Sequence, residues 1–250
     1  MSSASLAGML RQALDNVTRR PYSKGFFFSQ ASSARPSAEV VVPLILDLVE
    51  VHSVVDVGCG VGTWLSVFRA LGVSDVLGID GDYVPAGQLE IPAEQFHAAD
   101  LSEPLEIGRR FDLAVSLEVA EHLSPSSSEQ FVAKLVGLAD LVLFSAAIPG
   151  QRGSQHVNER WQSWWAGRFA EHGFVPIDCV RRRIWSNPSV DWWYAQNIIL
   201  YASRDQLLAN PFLQREYELM GTNQLSIVHP GRYVKWRKRF RDLLLRQPPS

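Results

Sequence analysis

The sequence predicts an α/β protein built on a mostly parallel sheet of seven strands with helices on both faces. Short apolar runs alternate with helix-compatible segments from Ser53 through Phe144, which is the first observation behind that prediction. The second is a glycine loop, Gly58-Cys59-Gly60-Val61-Gly62, that opens straight out of the first apolar run. The third is that the next run, Val76–Asp80, ends in an acid some two dozen residues beyond Asp56. Parallel strands need a crossover long enough to hold a helix, so alternation of the two element types is what such a sheet demands.

In chain order, Leu6 to Val17 reads as an amphipathic helix, and the aromatic segment Pro21–Gln30 as a lid. From Ala38 to Val51 the residues Val41, Leu44, Ile45, Leu48 and Val49 fall at helical spacing, predicting a helix that packs on the sheet just ahead of the first strand. Ser53–Val57 is that strand, and Thr63–Arg69 the helix after the glycine loop. Phe96–Ala99 gives a third strand, Asp100 an N-cap for a helix over Glu103–Arg110, and Phe111–Leu117 a fourth strand. A fifth ends near Phe144. Beyond Pro149 comes an insertion, then a helix over Trp161–His172 and two late apolar runs, Val175–Trp185 and Val190–Ala202, read as the last two strands. The expected organisation is residues 1–36 as helix and lid, 37–205 as the core with a substrate insertion around 147–172, and 206–250 as a helical, basic tail.

Composition narrows the classes. A chain of 250 residues with formal charge −2 and pI near 6.3 is not built to coat nucleic acid. Cys59 and Cys179 have neither disulfide-framework nor metal spacing, and read as free thiols of a reducing compartment, so a cytoplasmic protein is expected. The sequence shows no charged-then-apolar leader and no apolar run of the roughly 18 residues that a spanning helix takes.

Glycines at alternate positions of a strand-to-helix turn let a nucleotide-like cofactor lie against bare backbone, because glycine has no Cβ and tolerates positive φ. A dinucleotide fingerprint would place its third glycine where Thr63 stands; here it falls at Gly62, and Asp56 precedes Gly58 by two. This D-x-G-x-G-x-G string resembles motif I of the class I S-adenosylmethionine-dependent methyltransferases. The resemblance implies a Rossmann-like seven-stranded sheet and a cofactor held by Asp56, Gly58, Cys59, Gly60 and Gly62. It further implies Asp80 on the ribose hydroxyls with Gly81 beside it, Asp100 on the adenine amino group, and Leu101 and Leu117 flanking the cofactor.

Glu118-Val119-Ala120-Glu121-His122 follows the fourth strand directly. A helix beginning there would set Glu118, Glu121 and His122 on one face at the sheet's C-terminal edge. The E-x-x-E-H string resembles the ubiquinone-pathway O-methyltransferases and the enzymes that 2′-O-methylate small RNAs, which implies a divalent metal on Glu118, Glu121 and His122, with His156 as a further ligand. An alcohol hydroxyl is a poor acid, so either a bound Mg²⁺ or Mn²⁺ or a histidine base, His122 or His156 with Glu121, would have to take or acidify its proton. A purely structural role for the string stays open as well.

The acceptor is sought between Ala146 and Gly173 and in the late aromatic runs. His156-Val157-Asn158-Glu159, a tryptophan-rich helix, Trp192-Trp193-Tyr194 with Gln196 and Asn197, and Leu225–Pro230 together resemble a bacterial subgroup of methyltransferases linked to glycan and glycoside O-methylation. Six of the eight tryptophans lie within 33 residues, and indole rings suit the CH face of a sugar, although about half of them are expected to be core. If Val190–Ala202 is a strand, Trp192, Tyr194 and Gln196 share a face and Asn197 points the other way. Arg232, Lys235, Arg237, Lys238, Arg239, Arg241 and Arg246 stand against Asp242 in the tail. That tail is read as a solvated or subunit-packing helix, with contact to a membrane surface or a partner as the other reading.

The expectation is therefore a S-adenosylmethionine-dependent O-methyltransferase acting on a small-molecule or oligosaccharide carbohydrate acceptor, with a homodimer conceivable and no stable nucleic-acid partner. Three alternatives stand beside it: methylation of a phenol or quinone, methylation of an RNA ribose, and a catalytically silent scaffold of the same fold.

Overall fold

The computed structural model describes residues 24–220 and 224–233. The expected helix over Leu6–Val17 and all of the basic tail beyond Tyr233 lie outside them. Seven strands form one mixed sheet: β1 (Ser53–Val57), β2 (Asp75–Asp80), β3 (Phe96–Ala98), β4 (Leu113–Leu117), β5 (Leu141–Ser145), β6 (Phe174–Ile177) and β7 (Ile199–Ser203), in the order β3-β2-β1-β4-β5-β7-β6. The first five run parallel, and β7 is antiparallel to both β5 and β6. Sheet order reverses direction between β1 and β4, so the crevice beyond their C-terminal ends is where a fold of this kind binds ligands.

The helices are α1 (Lys24–Leu48), α2 (Thr63–Ala70), α3 (Ser128–Leu138), α4 (Gln162–Glu171), α5 (Arg181–Ile184), α6 (Trp192–Asn197), α7 (Arg204–Ala209) and α8 (Pro211–Leu219). One face of the sheet is covered by α1 and α2 through Ala38, Val41, Val42, Ile45, Leu65 and Phe68, all buried. The other is covered by α3 and α4, where Phe131, Leu135, Trp165 and Phe169 meet Val142, Phe144 and Tyr201. Phe169 stacks on Tyr201 with ring centroids 3.8 Å apart. Among the described residues no helix is long and apolar enough to cross a membrane.

Several expected elements change shape. The helix foreseen at Ala38–Val51 starts at Lys24 and carries Pro36 and Pro43 inside it. The described end of the aromatic segment expected as a lid therefore forms its opening turns. No helix forms over Glu103–Arg110, where Gly108 takes left-handed backbone at φ 71° and ends any helical run. Val175–Trp185 is a four-residue strand followed by a one-turn helix. The chain turns there because the buried Arg181 needs acceptors, and it finds them in Asp178 and in the carbonyls of Gln196 and Leu225. Val190–Ala202 likewise splits into α6 and β7.

Candidate active site

β1 delivers the chain into the glycine loop, whose Gly58, Gly60 and Gly62 all have positive φ, at 88°, 56° and 84°. The amides of Gly58 and Cys59 both donate to the carbonyl of Ile79, at 2.7 and 3.2 Å, tying the loop to the end of β2. A Cβ on Gly58 would sit 2.4 Å from Cγ2 of Val119, so the loop is pressed against the segment that follows β4. Gly62 stands at the N-terminal end of α2.

Asp80 ends β2 at the rim of this loop. Its Oδ2 accepts from the Gly60 amide at 2.7 Å, and its Oδ1 accepts from the Gly81 amide and the Tyr83 hydroxyl, each at 2.7 Å. Burial pushes its carboxyl above the usual range, against those three hydrogen bonds. Asp56 lies beneath, buried, with its carboxyl raised by desolvation and then by the charge of Asp80. Cys59 is buried too, its thiol held up by desolvation. The sequence reading missed Tyr83, whose ring covers Gly81 so closely that a Cβ there would be 2.1 Å away. Leu117 is buried at the end of β4, and Leu101 is buried against α3. Asp100 is exposed, and its carboxylate accepts from the amide and hydroxyl of Ser102 at 2.8 and 2.6 Å, so it caps a turn and not a helix.

Beyond β4 the expected helix is absent. Glu118 has φ 56°, left-handed backbone for a non-glycine residue, and its amide donates to both the carbonyl and hydroxyl of Ser145 at 3.0 Å. A 3₁₀ turn over Ala120–His122 follows. This geometry replaces the expected helical face with a turn in which the carboxyls of Glu118 and Glu121 still interact. Glu118 turns to a buried amide network: Asn197 Nδ2 donates to its Oε1 at 3.0 Å and Gln151 Nε2 to its Oε2 at 2.8 Å. Gln196 donates to Gln151 and accepts from the amide of His229, which brings the segment after residue 223 onto the site. On α6, Gln196 and Asn197 therefore serve one network, correcting the alternation that a strand would have imposed.

Glu121 is fully buried, and among the described residues neither of its carboxylate oxygens has a hydrogen-bond partner. Desolvation, and then the charge of Glu118, pushes its carboxyl well above the usual range; Glu118 is raised by burial. His122 and His156 meet edge to face with ring centroids 4.9 Å apart, and Nε2 of His156 lies 4.0 Å from Oε1 of Glu121. Burial, and then His156, lowers His122 to about 4, so it is a neutral imidazole at physiological pH. Ligand atoms of Glu121, His122 and His156 lie within 4.8 Å of one another; Glu118 is not in that group. Carboxylate oxygen beside neutral imidazole nitrogen suits a divalent cation such as Mn²⁺ or Mg²⁺, and the unpartnered oxygens of Glu121 fit that role.

His156 rides on the loop after β5, which is anchored through main chain: Val157 and Asn158 donate to the carbonyl of Glu121 at 2.9 and 3.0 Å, and Arg160 to that of Ala147 at 3.1 Å. Of the tryptophans, Trp165 is core, whereas Trp161 is 41% exposed at the start of α4. Trp185 packs on His229 with ring centroids 4.5 Å apart. Arg232, the described start of the basic tail, donates to the carbonyl of Gly150.

Residues 26–182, well over half of the chain, match a protein family described as a methyltransferase domain. Among curated proteins none matches the sequence. Solved structures do match. An O-methyltransferase family protein from Burkholderia thailandensis is 16% identical at a TM-score of 0.52, over 72% of this chain and 58% of that one. Human N-acetylserotonin methyltransferase, in complex with S-adenosylmethionine, is 16% identical at 0.50, over 72% and 56%. A small RNA methyltransferase is 17% identical at 0.51, over 73% and 26%. The chain spans less than three-fifths of the length of each of these, and at such identities they share its fold.

Proposed function

This chain belongs to the methyltransferase-domain family, and on that premise we propose that it moves the methyl group of S-adenosylmethionine to a hydroxyl of a carbohydrate or glycosylated small molecule. The observation that carries the acceptor half is the group formed by the buried Glu121 with the half-buried His122 and His156. Glu121 and His122 follow β4 directly, and Val119, in the same segment, touches the glycine loop.

The acceptor oxygen bonds to the methyl carbon, the carbon–sulfur bond breaks, sulfur keeps the electron pair, S-adenosylhomocysteine leaves, and the hydroxyl proton passes to a histidine or to solvent. In-line attack requires the two substrates to be held end to end, which is the work of the loop at Gly58 on one side and of the residue 118–122 segment on the other. Asp80, held by the amides of Gly60 and Gly81, would exchange its Tyr83 contact for the ribose hydroxyls. Glu121, His122 and His156 would hold Mn²⁺ or Mg²⁺, whose charge would make a nearby acceptor hydroxyl a stronger acid. The residues themselves then orient that hydroxyl and keep water away. A metal-free version of the same transfer would use neutral His122 to take the proton, with a pKa of about 4 that makes it a weaker base than an ordinary imidazole. The half-exposed indole of Trp161, the most exposed of the described tryptophans, offers an aromatic surface to a sugar ring.

The test is methyl transfer from labelled S-adenosylmethionine to a panel of glycosides, free sugars and phenols, in EDTA and after Mn²⁺ or Mg²⁺ is restored. Glycoside methylation that disappears in EDTA and returns with metal supports the main reading. Full activity in EDTA with His122→Ala inactive supports the base. Transfer to phenols alone overturns the carbohydrate acceptor.

A further inference from the structure

We propose that Glu159 is a positioning residue: with the space left by Gly153, its carboxylate fixes the ring of His156 so that Nδ1 carries the proton and Nε2 presents its lone pair to Glu121 and His122. The inference rests on the reading of those three residues as the group that handles the acceptor hydroxyl.

Oε1 of Glu159 lies 3.0 Å from Nδ1 of His156 and accepts from the Arg152 amide at 2.5 Å, while Oε2 accepts from the Gly150 amide at 2.6 Å. An ionised carboxylate only accepts, so its contact with a neutral imidazole requires the proton on Nδ1. Nε2 is then the free acceptor. It stands 4.0 Å from Oε1 of Glu121, too far for a hydrogen bond and a gap that a third atom bound to both can fill. Outer carboxylates that set a histidine's tautomer in this way are a general feature of imidazole ligands.

The loop is shaped around this contact. Arg152 and Gln155 both take left-handed backbone at φ 60°, a strained conformation for a non-glycine residue. Charge-assisted hydrogen bonds to Glu159 at one of those two residues, and at Gly150, offset part of that strain. Between the two lies Gly153, where a Cβ would be 2.0 Å from Nε2 and 2.5 Å from Cε1 of His156. The imidazole thus rests on the α-carbon of Gly153, and a larger residue would push Nε2 off its line to Glu121.

Selective ¹⁵N-histidine labelling of the full chain reads the tautomer directly, in EDTA and at mildly alkaline pH, with His156→Gln identifying the signal. The wild type should show protonated Nδ1 and lone-pair Nε2. Glu159→Gln should give mixed tautomers, and it should weaken Mn²⁺ binding by calorimetry about 10- to 100-fold, with the thermal midpoint little changed. Glu159→Asp should restore part of that affinity, and Gly153→Ala should lower it with the tautomer kept. A proton on Nε2 in the wild type overturns the proposal, as does a Glu159→Gln variant matching wild type in both tautomer and Mn²⁺ affinity. If the tautomer is as expected but the wild type binds no Mn²⁺, the metal reading falls and the positioning role of Glu159 stands.

Discussion

The two halves of the candidate site are built on opposite plans. On the donor side Asp80 is satisfied from within: two backbone amides and a tyrosine hydroxyl already occupy its carboxylate, and every left-handed residue of the loop is a glycine. On the acceptor side Glu121 has two oxygens without a described partner, and the left-handed positions fall on Glu118, Arg152 and Gln155, which gain nothing sterically from that backbone. One half is satisfied by its own hydrogen bonds; the other concentrates strained backbone and a buried carboxyl in one place. Strain and unpaired polar groups concentrated in one place point to where a protein gives up stability for chemistry.

That contrast can be broken most sharply at His122. Mn²⁺ affinity should fall by more than about 100-fold in His122→Ala, while calorimetric uptake of S-adenosylmethionine stays within about twofold of wild type. Equal losses of both would mean that the halves are not separate. Gly58→Ala should do the reverse. Left-handed φ and contact with Val119 should cost the donor on the order of 10- to 100-fold in affinity, and calorimetry on folded variant decides it. Asp80→Asn, which keeps the shape and removes the charge, should weaken the donor about tenfold.

Stability sharpens the comparison further. Glu121→Met removes a buried carboxyl with no described partner, so in EDTA it should raise unfolding stability by about 1–3 kcal/mol while abolishing transfer. A lowered melting temperature would show that Glu121 is satisfied in the metal-free state. Stability should also depend on pH. Because His122 is depressed from 6.5 to about 4, its contribution is complete above the unfolded value and is lost as pH falls from 6.5 toward 4. Chemical denaturation in EDTA across that window should therefore show a shallower decline in His122→Gln than in the wild type.

Most of the donor half was legible in the residues themselves, since glycine spacing and a strand-terminal acid are local signals that sheet geometry leaves intact. Tyr83 was not, because only the close approach of its ring to Gly81 gives it a role. The acceptor half was legible in residue type but not in arrangement. Glu118, Glu121, His122 and His156 were all singled out, and Glu118 does meet Glu121, but through a left-handed turn and not through the i, i+3, i+4 spacing of a helix. Glu159 stood in plain view at i+3 from His156, and its importance comes from two distant amides that no sequence pattern reports. Trp192–Asn197 was read as a strand because aromatic residues favour one; tertiary hydrogen bonds to Glu118 and Gln151 belong instead to a short helix.

The loop that carries His156 is stitched to the sheet by main-chain hydrogen bonds at Glu121 and Ala147. Its outward side chains can therefore drift in size and polarity without shifting the frame that holds the imidazole. Selection acting on the exposed Ser154 and Val157 would meet little penalty, and new acceptors could be tried while the glycine loop is left untouched.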